Sequence, residues 1–224
     1  MSQPVEHMTP PAAPSKGASA VDFLVLTKPR ITLLVVLTTL VGYWTGRTGP
    51  TDVALLANTL IGTALVAAAA SALNQFAERR LDAAMRRTAR RPLPAGRLEP
   101  HVAFAFGVVL WAIGAAWLRL TVNALAAFLA IATAASYLLA YTPLKRVTSL
   151  ATVVGAVPGA IPPMIGWAAA RNSLDAGAWV LFLIVFLPFT SRFAQRLYTP
   201  TYQGLVAEAP QPTSAGPGFG VREV

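Results

Sequence analysis

Residues 53–97 read VALLANTLIGTALVAAAASALNQFAERRLDAAMRRTARRPLPAGR. The part up to Leu73 is largely apolar and long enough to cross a lipid bilayer once as a helix. The polar residues that follow, Asn74, Glu78 and Asp82, recur every four residues, which places them on one face of a continuing helix. The stretch therefore predicts a membrane helix with an acidic inner end, continuing to about Arg90 until Pro92 and Pro94 stop it.

The composition of the whole chain is that of a membrane protein. Of its 224 residues, 55% are hydrophobic and only 12% are charged, whereas an ordinary soluble domain has about 25% charged residues. An ordinary soluble enzyme and an intrinsically disordered chain are therefore both excluded. Because the chain has no cysteine, it has no disulfide framework, thiolate nucleophile or zinc-finger site.

Six apolar runs are candidates for membrane spans, and the sixth is marginal because it has only about a dozen residues. The first runs from Ile31 to Thr45 and can be extended upstream by residues 21–26. The others are residues 53–73, 101–118, 122–141, 150–170 and 178–189. We predict an all-α, polytopic membrane helical bundle with five to six transmembrane helices. Residues 1–20 are predicted to be a flexible cytoplasmic leader, residues 21–189 the transmembrane domain, and residues 190–224 a disordered tail.

The positive charges are distributed unevenly between the two sides of the predicted bundle. Fifteen of the 18 lysines and arginines fall on the side of the N-terminus, and three fall on the other side, namely Arg47, Arg119 and Arg171. Positive residues are enriched in cytoplasmic loops, so this bias predicts a cytoplasmic N-terminus in a multi-pass protein of the cell (inner) membrane. Topology thus explains the net charge of +9, and we expect no nucleic acid partner.

The acidic face and the arginines behind it suggest how the chain could hold a diphosphate. Two carboxylates and an amide oxygen suit Mg²⁺, which takes one or two protein carboxylates together with water and substrate phosphates. Arg87 and Arg91 lie in the run of arginines that follows, and guanidinium groups match phosphate oxygens. The alternative is that Glu78 and Asp82 only form exposed ion pairs with neighbouring arginines, which contribute little to stability.

Two further segments are candidates for the same site. The loop YTPLKR, Tyr141 to Arg146, could close over the diphosphate with Lys145 and Arg146, or these cations could simply anchor the topology. The fifth span, VVGAVPGAIPPMIGW at residues 153–167, has three prolines and three glycines. We expect this helix to be kinked or broken, either because it lines a cavity or because of packing alone.

These motifs together resemble a known enzyme family. Asn74, Glu78, Asp82, Met85, Arg87, Thr88, Arg91 and Pro92 follow the first acidic motif of the protoheme IX farnesyltransferase (heme O synthase) branch of the UbiA-type intramembrane prenyltransferases. The YTPLKR loop and the segment GAVPGAIPPMIGW, residues 155–167, are similar to the same branch. The resemblance covers about residues 22 to 186.

The resemblance implies a bundle, usually of nine spans, that transfers farnesyl from farnesyl diphosphate to a vinyl group of haem b. Asn74, Glu78 and Asp82 would be the catalytic residues that hold Mg²⁺ and the diphosphate. Arg87, Arg91, Lys145 and Arg146 would bind the diphosphate and neutralise its charge as it leaves. The haem vinyl carbon would attack the allylic carbocation, and water would complete the hydroxyethyl group. The implied partners are the lipid bilayer and downstream haem-handling membrane proteins.

The chain departs from the family pattern near Leu187, where the composition changes abruptly. The family continues through a Pro-His-Phe segment to a second acidic motif and further spans, whereas this chain reads FLPFTSRFAQRLYTP. We expect a truncated or frame-shifted C-terminal part and an inactive or severely impaired enzyme. Two alternatives stay open: a sister prenyltransferase acting on a quinone or chlorin precursor, and a non-enzymatic membrane protein.

Overall fold

The computed structural model describes residues 18–191, and every regular element in that part of the chain is helical. In chain order the helices are α1 (Ala20–Thr27), α2 (Pro29–Gly46), α3 (Val53–Ala84), α4 (Pro100–Thr121), α5 (Ala124–Leu144), α6 (Ala151–Arg171) and α7 (Ala176–Ser191). The helices α3 to α6 are long and apolar enough to cross a membrane, and the bent pair α1 and α2 makes a fifth candidate. With the shorter apolar α7, this confirms the predicted all-α membrane bundle. Most of the predicted leader and nearly all of the predicted tail lie outside the described residues, and the last residue of the predicted leader, Ala20, begins α1.

The first span is bent where α1 meets α2. The two helices form an angle of 47°, and Lys28 between them has a left-handed backbone with φ 46°. The bend has a covalent cause, because Pro29 has no N–H to offer the carbonyl of Val25 four residues earlier. The upstream extension predicted from residues 21–26 is therefore present, but as a separate helix.

Helix α3 ends at Ala84, so the prediction that it continues to about Arg90 is wrong. The hydroxyl of Thr88 donates a hydrogen bond to the carbonyl oxygen of Asp82 at 2.8 Å, a carbonyl that otherwise accepts a longer hydrogen bond, of 3.4 Å, from the backbone N–H of Met85 at the helix end. The following chain turns back against α3 and reaches α4 at Pro100. Residues 85–90 combine helix-forming residues with arginines, and this pattern does not indicate that the helix ends at Ala84.

The returning loop, residues 85–99, is fixed by a small apolar core. Leu93 and Leu98 are buried with Leu26 of α1, Ala72 of α3 and Ala103 of α4. An ion pair at 2.9 Å between Arg97 Nε and Asp22 Oδ1 ties the loop to α1. The loop, with Arg97 in it, is therefore held against the bundle.

Helix α6 runs from Ala151 to Arg171 with all three prolines inside it, so the expected break is absent from it. Burial explains how it persists, since helix prolines at membrane depth are tolerated when neighbouring helices enclose them. One face packs against α2, where a Cβ on Gly42 would overlap the backbone of Pro163. Another face, with Pro158, Gly159 and Pro162, lines an apolar cavity. The segment thus both packs closely against α2 and lines a cavity.

Candidate functional site

A polar cavity of about 310 Å³ lies where the bend before α2, the inner end of α3, the 85–99 loop and the inner end of α5 meet. We call it the polar cavity. Its lining includes all seven predicted site residues, which are Asn74, Glu78, Asp82, Arg87, Arg91, Lys145 and Arg146. Three separate stretches of sequence therefore converge at one place, and the roles assigned to these residues stay predictions.

The acidic face of α3 forms one wall of the polar cavity. Asn74, Glu78 and Asp82 are 1%, 8% and 3% exposed, because this face of the helix turns into the bundle. The side-chain amide of Asn74 donates to Glu78 Oε2 at 2.9 Å. The carboxylates therefore lie in a protein interior, where charges interact more strongly than in water.

Each carboxylate is paired with a cation from a different element. Lys145 Nζ lies 2.5 Å from Glu78 Oε1, and Arg91 Nη1 lies 2.7 Å from Asp82 Oδ2. The alternative of exposed surface pairs correctly anticipates ion pairing, but these carboxylates are buried. The pairing shows that cations and acids share the cavity.

Other polar residues that line the cavity were not singled out as site residues from the sequence, among them Lys28 at the bend, Thr88 in the loop and Tyr137 in α5. Thr142 was also not singled out, and it does not line the cavity but contacts the lining residue Asn74. The hydroxyl of Thr142, which is 3% exposed, lies 2.9 Å from Asn74 Oδ1 and 2.9 Å from the carbonyl oxygen of Tyr137. The only signal in the sequence was its position within the YTPLKR loop. Its burial then requires a hydrogen-bond partner for the hydroxyl.

The geometry around Tyr137 comes from an irregular turn of α5. Residues Ser136–Tyr141 form a π-helical segment, and such segments occur frequently at functional sites. The rings of Tyr137 and Tyr141 stack with centroids 5.5 Å apart. This irregular turn brings both rings to the wall of the polar cavity.

An apolar cavity of about 200 Å³ adjoins the polar one, and Tyr137 lines both. Its walls come from α2, α3, α5 and α6, and include Val66, Ala130, Ala134 and Pro162. The molecule thus offers a charged compartment at the inner end of the helices and an apolar compartment deeper in the bundle. A ligand with an anionic head and an apolar chain matches this arrangement.

The residues of the α3 face fit a magnesium ion by their chemistry. All the available donors are oxygens, and two carboxylates are the number that Mg²⁺ usually takes from a protein. Asp82 Oδ1 accepts no hydrogen bond within residues 18–191, so it is available to an ion. Over the same residues, no group of three His, Cys, Asp or Glu side chains is arranged to hold a metal. A magnesium ion bound here would take its remaining ligands from water or from phosphate oxygens.

We predict that Thr142→Val destabilises the protein through Asn74. Valine keeps the shape of threonine but leaves a buried amide oxygen without its hydroxyl donor, at a cost of about 1–3 kcal/mol. Thermal unfolding in detergent measures the change. Thr121→Val is the matched control, because Thr121 is exposed and its hydroxyl donates only to the carbonyl oxygen of Trp117. Equal stabilities of the two variants would contradict the prediction.

Comparison with known proteins gives consistent matches. The sequence profile described as the UbiA prenyltransferase family matches residues 35–198. A protein named protoheme IX farnesyltransferase from Solibacter usitatus is 49% identical over 175 residues, covering 74% of this chain and 60% of the relative. The protein of the same name from Myxococcus xanthus is 46% identical over 177 residues, covering 78% of this chain and 59% of the relative. The chain thus spans about 60% of the length of these curated relatives.

A solved structure with a similar fold comes from a study of digeranylgeranylglyceryl phosphate synthase. The TM-score is 0.68 at 17% sequence identity, and the match covers 84% of this chain and 65% of that chain. At this identity the likeness concerns the fold alone. It shows that the arrangement of the helices described here occurs in another membrane protein.

Proposed function

Because the chain belongs to the UbiA prenyltransferase family, we propose that it binds a prenyl diphosphate across its two cavities. The diphosphate lies in the polar cavity with Mg²⁺, and the prenyl chain lies in the apolar cavity beyond Tyr137. The observation that carries this proposal is that one residue, Tyr137, lines both a cavity with acids and cations and a cavity with apolar side chains. The relatives' shared name, protoheme IX farnesyltransferase, indicates transfer of a farnesyl group to protohaem. We propose farnesyl diphosphate as the donor and a vinyl group of haem b as the acceptor, giving heme O.

The residues of the polar cavity have two proposed roles in this reaction. Asn74, Glu78 and Asp82 are proposed to hold Mg²⁺, which when bound would withdraw charge from the diphosphate and make it a better leaving group. Four cations face the same ligand and balance its negative charge, namely Arg87, Arg91, Lys145 and Arg146. Fixed charges that match the departing group stabilise the transition state without reorganising. No nucleophilic side chain is required.

The bond changes follow from the substrates. The allylic carbon–oxygen bond breaks, and its electron pair leaves with the diphosphate towards the cations. The vinyl carbon of the haem then forms a carbon–carbon bond with the allylic carbon, which leaves the positive charge on the adjacent carbon. Water adds to that carbon and loses one proton to the released diphosphate, which completes the hydroxyethyl group. The apolar wall around the prenyl chain keeps bulk water from the allylic carbon, so that hydrolysis does not compete.

The position in the membrane is part of the proposal. The multiple apolar helices and the family indicate a multi-pass membrane protein. We propose that the polar cavity opens to the cytoplasm in the cell membrane, with the N-terminus on the same side, because positive residues concentrate at that end. Downstream haem-handling membrane proteins would then receive the product laterally.

Two measurements test the proposed function. Calorimetric titration of the chain in detergent with the unreactive thio analogue of farnesyl diphosphate should show binding that requires Mg²⁺. Purified chain in liposomes with haem b, labelled farnesyl diphosphate and Mg²⁺ then reports the acceptor, with a quinone precursor in a parallel reaction. Absence of Mg²⁺-dependent binding would remove the prenyltransferase proposal and favour a non-enzymatic protein. If the label entered only the quinone precursor, the acceptor would be a quinone precursor and not haem b.

We propose that this chain binds the prenyl diphosphate but converts it to product slowly. After Arg171 the sequence has only three acidic residues, Asp175, Glu208 and Glu223, which are too far apart for a second motif like that of α3. Both carboxylates that line the polar cavity belong to α3. We therefore expect tight binding of the analogue with little heme O formed, and rapid heme O formation in the liposomes would contradict this.

We predict that Ala134→Leu weakens binding in the apolar cavity and leaves binding in the polar cavity unchanged. Ala134 is 2% exposed and lines the apolar cavity, so a leucine side chain would occupy space proposed for the prenyl chain. The dissociation constant for the farnesyl analogue should rise about tenfold, equivalent to about 1.4 kcal/mol, whereas inorganic diphosphate with Mg²⁺ should bind as before. Ala116→Leu, on an exposed position of α4, is the control. A parallel loss for both ligands would point to misfolding instead.

A further inference from the structure

We propose that Lys28 is a further ligand of the diphosphate and that Gln75 positions it. The inference rests on the proposed function of the polar cavity and adds two residues that the sequence motifs do not include. Lys28 lies on the first span, far in sequence from the acidic motif, yet its side chain lines the same cavity as Glu78 and Asp82.

The backbone at Lys28 adopts a conformation that a lysine rarely takes. Its φ of 46° and ψ of 67° place it in the left-handed region, at the junction of α1 and α2. Side chains other than glycine are strained there. Such strain persists where surrounding contacts enforce it and is concentrated at functional sites. The bend turns the chain so that Lys28 faces the cavity, whereas Arg30 two residues later is exposed and does not line it.

Gln75 supplies the contact that holds this bend. Its side-chain amide lies 2.9 Å from the carbonyl oxygen of Leu26 and 3.3 Å from that of Val25. These carbonyls end α1, and Pro29 cannot donate to Val25 because it has no N–H. Gln75 is 2% exposed and follows Asn74 directly on α3. The residue beside the acidic face therefore fixes the helix end that presents Lys28.

The charges of the polar cavity indicate what Lys28 binds. Five cationic side chains and two carboxylates line the cavity, which leaves three net positive charges. Lys145 and Arg91 pair with the carboxylates, whereas Lys28 has no carboxylate within 4 Å over residues 18–191. Arg87 and Arg146 are exposed to solvent, but Lys28 is partly buried. A partly buried cation without a carboxylate partner favours an opposite charge nearby, and an anionic ligand in the polar cavity provides it.

The first test compares Lys28→Gln with Arg30→Gln in the full chain. With Mg²⁺ present, the dissociation constant of the farnesyl thio analogue should rise at least about tenfold for Lys28→Gln, since a charge-assisted hydrogen bond is lost. Arg30→Gln should change it less than about twofold. Farnesol, which has no charge, should bind the apolar cavity of both variants equally and so report that they are folded.

The second test separates positioning from general stability. Gln75→Leu should weaken binding of the analogue about threefold to tenfold when Lys28 is present, and hardly at all when Lys28 is already glutamine. Such non-additivity is expected only if the two residues act through one contact with the ligand. Equal effects of Gln75→Leu in both backgrounds would overturn the positioning role.

A third measurement needs no variant. The chain has three lysines, Lys16, Lys28 and Lys145, so amine-reactive labelling followed by mass spectrometry can follow each. Mg²⁺ with the analogue should slow labelling of Lys28 at least about fivefold and leave Lys16 unchanged. Unchanged Lys28 labelling with bound analogue would overturn this inference but leave the proposed function standing. Absence of any binding to the unmodified chain would overturn both.

Discussion

Glu78→Gln is expected to abolish the Mg²⁺-dependent binding of a prenyl diphosphate, with a dissociation constant raised about 100-fold. Glutamine preserves the shape of the side chain but removes one of the two carboxylates in the polar cavity. It also deprives Lys145 Nζ of the carboxylate oxygen that lies 2.5 Å away. If Glu78 is a metal ligand as proposed, its loss should reach the upper end of the roughly 10–100-fold effect typical of residues that only support a ligand. Asp82→Asn should behave similarly.

The dependence on Mg²⁺ distinguishes this explanation from simple damage. With a carboxylate removed, the cavity becomes more positive, so binding of the analogue without Mg²⁺ should stay equal or improve while the gain from added Mg²⁺ disappears. Calorimetric titrations with and without the ion measure both. Glu99→Gln and Asp175→Asn are matched controls, because these carboxylates are exposed. If a variant at Glu78 still gained affinity from Mg²⁺, Glu78 would be only the partner of an ion pair, with no role in binding.

Gly166→Val is expected to destabilise the bundle by at least about 3 kcal/mol, at the upper end of the cost of overpacking. A Cβ at Gly166 would overlap the carbonyl oxygen of Thr39 and lie within 2.5 Å of the amide nitrogen of Tyr43, both on the backbone of α2. Backbone atoms cannot move aside as a side chain end can. Helices α2 and α6 would have to separate, and small residues allow such close contacts in membrane proteins.

The matched control for Gly166 lies in the same helix. A Cβ at Gly159 meets no atom within 4 Å, so Gly159→Ala should change the free energy of unfolding by less than about 1 kcal/mol, in line with the small preference for alanine in helices. Unfolding in mixed micelles with increasing denaturing detergent compares the two variants. If Gly166→Val unfolded at the same detergent fraction as Gly159→Ala, α2 and α6 would not pack as described.

The candidate site was predictable from sequence to the extent that its residues lie at helical spacing. Asn74, Glu78 and Asp82 share a face because four residues are close to one turn. Lys145 and Arg146 follow the next inner helix end, so their proximity to that face could be anticipated. Lys28 and Gln75 could not be found in this way. Their relation depends on a helix bend and on a contact between α1 and α3 across 49 residues.

By itself, the sequence determined the class of the fold, the approximate spans and the acidic face, because hydropathy and helical periodicity are local properties of the chain. The tertiary structure alone decided that α3 stops at Ala84, since a returning loop supplies the Thr88 hydroxyl. It also decided that the three prolines leave α6 continuous, because α2 and the cavity walls enclose it. Whether a buried carboxylate meets an arginine, a lysine or another carboxylate depends on contacts between distant segments, which no local pattern specifies.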